Sequence, residues 1–204
     1  DPEAEEPLLA VRFDPGGHGY AVGAYGRFLA TRDGGLSWEQ RHPEGTDFHF
    51  GAIARSGESL LLAGEAGTLM RSTDGGEHWR ALESPYAGSF FGALELPGGG
   101  VLVYGMRGHA FHSPDAGRNW QHVETGTDLS IFGGRILAGG HLLLVGQNGL
   151  VLHGRDLARG LAPLDLDTSR TFNAVIESGT GEVLLFGDKG VLHIPREQIA
   201  GFGS

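Results

Sequence analysis

Short apolar runs closed by glycine recur along this chain at a constant step. Tyr20-Ala21-Val22 is followed by Gly23, Leu61-Leu62-Ala63 by Gly64 and Leu102-Val103-Tyr104 by Gly105. Leu143-Leu144-Val145 then precedes Gly146, and Leu184-Leu185-Phe186 precedes Gly187, each glycine 41 residues after the last. A second glycine follows at 26, 67, 108, 149 and 190, and a second apolar pair comes soon after it: Phe28-Leu29, Leu69-Met70, Ala110-Phe111, Val151-Leu152 and Val191-Leu192. Two strands joined by a two-residue tip between glycines predict a hairpin in which glycine supplies the positive-φ positions. A further strand is expected ahead of each hairpin, at 9–11, 50–53, 91–94, 132–137 and 172–175. A helix needs apolar positions spaced by three and four over ten or more residues, and no segment supplies them.

A second turn repeats in the same register. Thr31-Arg32-Asp33-Gly34-Gly35-Leu36-Ser37-Trp38 returns as residues 72–79, with Asp74 and Trp79, and as 113–120, with Asp115 and Trp120. This S/T-x-D-x-G-x-x-W pattern is that of the Asp box. A short carboxylate accepts backbone N–H groups across the turn, glycine permits the left-handed bend, and Trp covers the hairpin with a large apolar face. In the fourth copy Asp156 persists, but Leu157 and Ala158 replace the glycines and Leu161 replaces Trp. The fifth copy has Pro195, Arg196 and Glu197 instead. A polar fourth strand is expected after each intact box, as at 79–82.

Four short antiparallel strands per ~40 residues are the signature of a propeller blade. The expected fold is therefore an all-β propeller of about five 41-residue blades, near 8–48, 49–89, 90–130, 131–171 and 172–204, in one domain after an acidic extension at 1–7. The last blade is expected to stop after its third strand, near Ile194. That leaves either a small five-bladed ring or an incomplete part of a seven-bladed propeller.

Composition narrows the functional classes. Glycine is the anomaly, at 37 residues against 9 prolines, while 40% of the chain is apolar, so the glycines serve turns and not a collagen-like or linker chain. Twenty-five acids against 15 bases leave a net charge of −10, which repels nucleic acid and gives no attraction to an anionic membrane surface. No apolar stretch nears the ~20 residues that span a bilayer, so membrane insertion is not expected. Cysteine is absent, which removes disulfides, thiolate catalysis and Cys-ligated zinc.

The three boxes, the phrase Ala21-Val22-Gly23-Ala24-Tyr25-Gly26 and the phrase Ser84-Pro85-Tyr86-Ala87-Gly88-Ser89-Phe90-Phe91-Gly92 resemble the bacterial relatives of the photosystem II stability/assembly factor, a family of BNR/Asp-box propellers. The resemblance implies an exported, non-enzymatic protein of about seven blades, which favours the incomplete-propeller reading. It also implies a periplasmic location outside phototrophs and a protein partner, with membrane transporters of the RND type as the candidate. The phototrophic members' basic docking patch has no counterpart in this acidic chain. Self-association through open blade edges is a further expectation.

In a propeller, sites usually occupy the face bearing the loops after the second and fourth strands, with the Asp boxes on the opposite face. Asp33, Asp74, Asp115, Asp156 and the tryptophans are accordingly read as structural. The tips vary while their glycines do not: Ala24-Tyr25, Glu65-Ala66, Met106-Arg107, Gln147-Asn148 and Asp188-Lys189. Fixed glycines shape the turn and varied tips carry recognition. Partner-binding candidates are thus Tyr25, Glu65, Arg107, Asn148 and Lys189. The segments leading into the first strands add His49, Tyr86, Phe90 and Arg170, besides Phe48 and Leu129. A sialidase-like glycosidase would use Tyr25 as nucleophile, Glu65 to polarise it and Arg107 on a carboxylate, but three arginines are needed and only Arg170 joins Arg107. Carbohydrate binding without hydrolysis is the milder alternative. His109 and His112 are three apart on one strand and point to opposite faces, and Asp165-Leu166-Asp167 lacks the glycine and terminal acid of a calcium loop, so neither a metal nor a cofactor is expected.

Overall fold

In the computed structural model, residues 7–43 and 47–195 are described; the extension at 1–6, and Arg196 and Glu197, lie outside them. The described residues form five antiparallel sheets. The first holds β1 (Leu8–Phe13), β2 (Gly19–Gly23), β3 (Phe28–Thr31) and β4 (Glu39–Arg41). The second holds β5 (Phe50–Ser56), β6 (Ser59–Gly64), β7 (Leu69–Ser72) and β8 (Arg80–Ala81). The third holds β9 (Phe90–Glu95), β10 (Val101–Gly105), β11 (Ala110–Ser113) and β12 (Gln121–His122). The fourth is β13 (Ile131–Ile136), β14 (Leu142–Gly146), β15 (Val151–Gly154) and β16 (Ala162–Pro163), and the fifth is β17 (Phe172–Glu177), β18 (Val183–Gly187) and β19 (Gly190–Ile194). Each sheet follows chain order, so each is a meander, and the sheets are blades of a β-propeller. Blade 4 keeps a fourth strand although its box has decayed. There Asp156 still accepts the Ala158 N–H at 3.1 Å, and the buried Leu161 stands where Trp stood. No described helix is long and apolar enough to cross a membrane.

The chain divides into two compact units, Asp1–Val103 with Ser113–Trp120, and Tyr104–His112 with Gln121–Ser204. In the first, the middle strands are buried on both faces, which explains their continuous apolar runs. Along β6, Leu60 and Leu62 join a cluster with Tyr20, Val22 and Phe28 of blade 1, while Leu61 joins Ala54, Val101 and Trp120 on the side of blade 3. Trp79 and Trp120 reach across to the preceding blade, where a cover for their own hairpin was expected: the Trp79 ring meets Phe28 edge-on at 5.3 Å, while Trp38 meets Phe13 of its own blade at 5.8 Å. In the second unit, Leu143, Val145 and Val151 of blade 4 pack with Phe172, Val175, Val183 and Leu185 of blade 5.

The first tip glycine corrects the expectation about backbone conformation. Gly64 has φ −164° and Gly105 has φ 179°, an extended backbone open to any residue. Space is what these positions lack. A Cβ on Gly64 would lie 2.2 Å from the His49 carbonyl oxygen, and one on Gly146 2.1 Å from that of Ser130. The close approach comes from a bulge that recurs where the first strand begins, between Phe50 and Ala52 and between Ile131 and Gly133.

Candidate tip and lead-in docking sites

Each of the first four tips is a single tight turn whose second residue is left-handed: Tyr25, Ala66, Arg107 and Asn148 all have φ between 52° and 54°. Only Asn takes this conformation readily; for Tyr and Arg it is a strained position held by the surroundings. Those surroundings are two lead-in segments. The tip's first amide donates to its own blade's lead-in, as Glu65 N–H to His49 O at 2.9 Å and Gln147 N–H to Ser130 O at 3.0 Å. The second tip glycine abuts the next blade's lead-in, as Gly26 N–H donates to Phe48 O at 2.9 Å and Gly149 N–H to Arg170 O at 2.7 Å. Backbone contacts therefore fix the turn, and the tip side chains are left to vary. The fifth tip differs. Gly187 pairs with Gly190 in a plain two-residue hairpin, and Lys189 is exposed there.

In the first unit three predicted residues meet. The Tyr25 ring, 62% exposed, lies 4.8 Å from the His49 ring. The Glu65 carboxylate accepts the His49 backbone N–H at 3.4 Å and sits 3.8 Å from His49 Nε2. This acid faces histidine and not the Tyr25 hydroxyl that a glycosidase reading requires. Tyr86 is half-buried in the following lead-in, where the Ser84 hydroxyl donates to its carbonyl at 2.8 Å. A Cβ on Gly88 would fall 2.4 Å from the Tyr86 ring, so that glycine creates the ring's seat. Phe90 is corrected from candidate anchor to core: it is 1% exposed and lies beneath Tyr86, ring centroids 6.1 Å apart. Its alternation along β9 turns it inward. Phe48, whose carbonyl accepts the Gly26 N–H, is exposed.

In the second unit, the exposed Arg107 rims an open polar groove of about 330 Å³ lined also by His109, His122, Glu124, Thr127 and Asp128. His122, Glu124 and Asp128 were not among the sequence candidates, which took only Leu129 from the loop between β12 and β13. Arg107 N–H donates to the Ser130 hydroxyl at 3.3 Å, and the Thr125 hydroxyl caps Gly108 O at 2.8 Å. Asn148 is exposed, its N–H on the Thr171 hydroxyl at 3.4 Å, with Arg170 half-buried in the adjoining lead-in. Among the described residues no three His, Asp or Glu side chains are placed to hold a metal ion.

The box carboxylates are consumed within their own turns. Asp74 Oδ1 accepts the His78 N–H at 3.0 Å and the Ser72 hydroxyl at 2.7 Å, while the Ser72 hydroxyl oxygen accepts the Gly76 N–H at 2.8 Å. Asp33 does the same with Ser37 and Thr31, and Asp115 with Asn119 and Ser113. These donors stabilise the anion: the Asn119 side chain and backbone hold Asp115 down at about 2, and Ser37 and His78 lower Asp33 and Asp74 likewise.

The family of photosynthesis system II assembly factor YCF48 matches residues 2–88. Over those residues the chain is similar to that family. A structure of YCF48 bound to D1 peptide superposes with a TM-score of 0.77 at 21% identity, over 94% of this chain and 64% of that one. YCF48 from Cyanidioschyzon merolae gives 0.74 at 22%, over 95% and 69%. The fold is shared more widely, since streptogramin B lyase reaches 0.81 at only 10% identity, over 94% and 66%. The chain spans 64% of the length of the first of these structures. No curated protein matches it.

Proposed function

We propose that this chain is a non-catalytic docking module that holds a segment of another protein against its tips and lead-ins. The observation that carries the reading is the Tyr25, His49 and Glu65 cluster: an exposed aromatic, held on a left-handed tip by backbone contacts, beside an acid and a second ring. Strained, exposed and varied side chains on a fixed frame are what recognition needs and folding does not. The family match and the peptide bound to its structural relative support a polypeptide ligand. The Asp boxes, with every carboxylate used internally, are structural staples. The periplasm is the proposed compartment, with a membrane protein of the RND transporter type as the proposed partner.

A photo-crosslinking residue placed at Tyr25 or at Arg107 in cells is expected to capture a membrane protein, and the same residue at the box position Leu36 to capture none. Loss of capture on Tyr86→Ala is expected in the Tyr25 sample. Equal capture from Leu36, or recovery of the protein from the cytoplasmic fraction, overturns the reading. So does turnover of a fluorogenic sialoside that Tyr25→Phe abolishes.

A further inference from the structure

Two side chains of the Tyr25, His49 and Glu65 cluster exceed what their turns require. Glu65 accepts the His49 N–H at 3.4 Å, and in blade 4 the neutral Gln147 makes the same contact, accepting the Ser130 N–H at 3.5 Å. That bond needs an oxygen and no charge. Ala66 holds in blade 2 the left-handed place that Tyr25 holds in blade 1, with φ 52° against 53°. The turn therefore needs no ring. Ala66 is exposed although blade 2 packs against β1 on one side and β9 on the other, so exposure belongs to the position. What remains is an exposed carboxylate with acceptor sites to spare, 3.8 Å from His49 Nε2, and a tyrosine ring 4.8 Å from the His49 ring. Around them, the tips and lead-ins of this unit, at 24–27, 47–49, 65–68 and 83–90, carry the acids Asp47, Glu65 and Glu83 against one base, the half-buried Arg27.

We infer that one arginine side chain of the docked polypeptide seats against Tyr25, His49 and Glu65, an assignment that rests on the docking function proposed above. A guanidinium lies flat on an aromatic ring, and its planar fork gives two N–H groups to one carboxylate. Tyr25 and His49 offer the rings and Glu65 the carboxylate, side by side. Lysine carries the same charge as a compact, strongly hydrated ammonium, which fits a ring and a carboxylate together less well. Backbone bonds hold the seat before the ligand arrives: the Glu65 N–H donates to His49 O and the Gly26 N–H to Phe48 O, both at 2.9 Å. Little ordering is then left to oppose binding. The net charge of −10 draws in a cationic segment as well, and the local excess of acids directs it to this end of the blades.

The test exposes an array of short random-sequence peptides to the full chain and measures the retained ones by fluorescence anisotropy. Retained peptides are expected to be enriched in arginine over lysine. Exchanging the critical arginine for lysine is expected to weaken binding about three- to tenfold, and added salt to weaken it further. Glu65→Gln is expected to lower affinity for the arginine peptides by a similar factor at an unchanged melting temperature, because Gln147 shows that an amide serves the turn. Glu65→Lys is expected to shift the preference to acidic peptides. Glu58→Gln removes the same charge at the other end of β6 and is expected to leave binding as it was. An equal loss from Glu58→Gln marks net charge alone and overturns the seat. Peptides retained with no preference for arginine overturn the seat and leave the docking function standing, whereas a wild type that retains no peptide overturns both.

Discussion

Replacing Gly64 by alanine separates two reasons for a glycine. With φ at −164°, alanine suffers no dihedral penalty there. Its Cβ, however, would sit 2.2 Å from the His49 carbonyl oxygen and 3.1 Å from the Phe50 Cα, so the lead-in must retreat by roughly 1 Å to restore van der Waals contact. That carbonyl also accepts the Glu65 N–H at 2.9 Å. Losing the bond costs about 1 kcal/mol net, and leaving its partners poorly solvated raises the total to about 2–4 kcal/mol. For a chain of this size the melting temperature falls by roughly 10 °C. Urea denaturation checks this as a lower midpoint with an unchanged slope. Gly57 is the control: it has φ +58° and open space around it, so alanine there carries dihedral strain alone, about 1 kcal/mol. Asparagine, which tolerates the left-handed region, is expected to relieve the defect at Gly57 and to worsen it at Gly64. An asparagine milder than alanine at Gly64 would refute the steric argument.

Two further outcomes follow from the packing and the titratable groups. Trp79→Ala removes a half-buried ring from the contact with Phe28 and costs about 3 kcal/mol, whereas Trp38→Ala, at an exposed ring, costs under about 1 kcal/mol. Trp79→Phe is expected to fall well below the alanine loss, because the buried Trp79 Nε1–H has no hydrogen-bond partner to lose; chemical denaturation ranks all three. The second concerns His141, which accepts Arg155 Nε–H at 3.1 Å through Nδ1 and so donates from Nε2 to His153 Nδ1, also at 3.1 Å. Burial lowers both pKa values, and His153 and Arg155 lower that of His141 further. The unfolded chain therefore takes up protons first, so this stability is full above the ordinary histidine value of 6.5 and is lost as pH falls below it. His153→Gln is expected to flatten that part of the stability–pH curve, and a slope unchanged by the substitution contradicts the linkage.

The blade was legible because its parts are local. A hairpin between residues 20 and 31 needs only an apolar run, a tip and a return, and the box needs only a carboxylate within four residues of the amides it accepts. Repetition at 41 residues turned each weak signal into a strong one. The candidate site was half legible. Variation at the tips pointed to Tyr25, Glu65 and Arg107, but pattern could not separate Phe90, which faces inward, from its neighbours in the same lead-in. It named Leu129 in the loop before β13 but not Glu124 or Asp128, since no repeated motif marks which residues of that loop line a groove.

Sequence alone determined how many strands each blade has, where each turn falls and which carboxylates are tied up in boxes, because those bonds span a few residues and depend on residue type. Tertiary structure decided why Gly64 must lack a side chain, what Trp79 rests on and that Tyr25 meets His49. Each of these depends on where a neighbouring blade or lead-in comes to lie, and close packing between segments tens of residues apart sets that distance without writing it into any one of them.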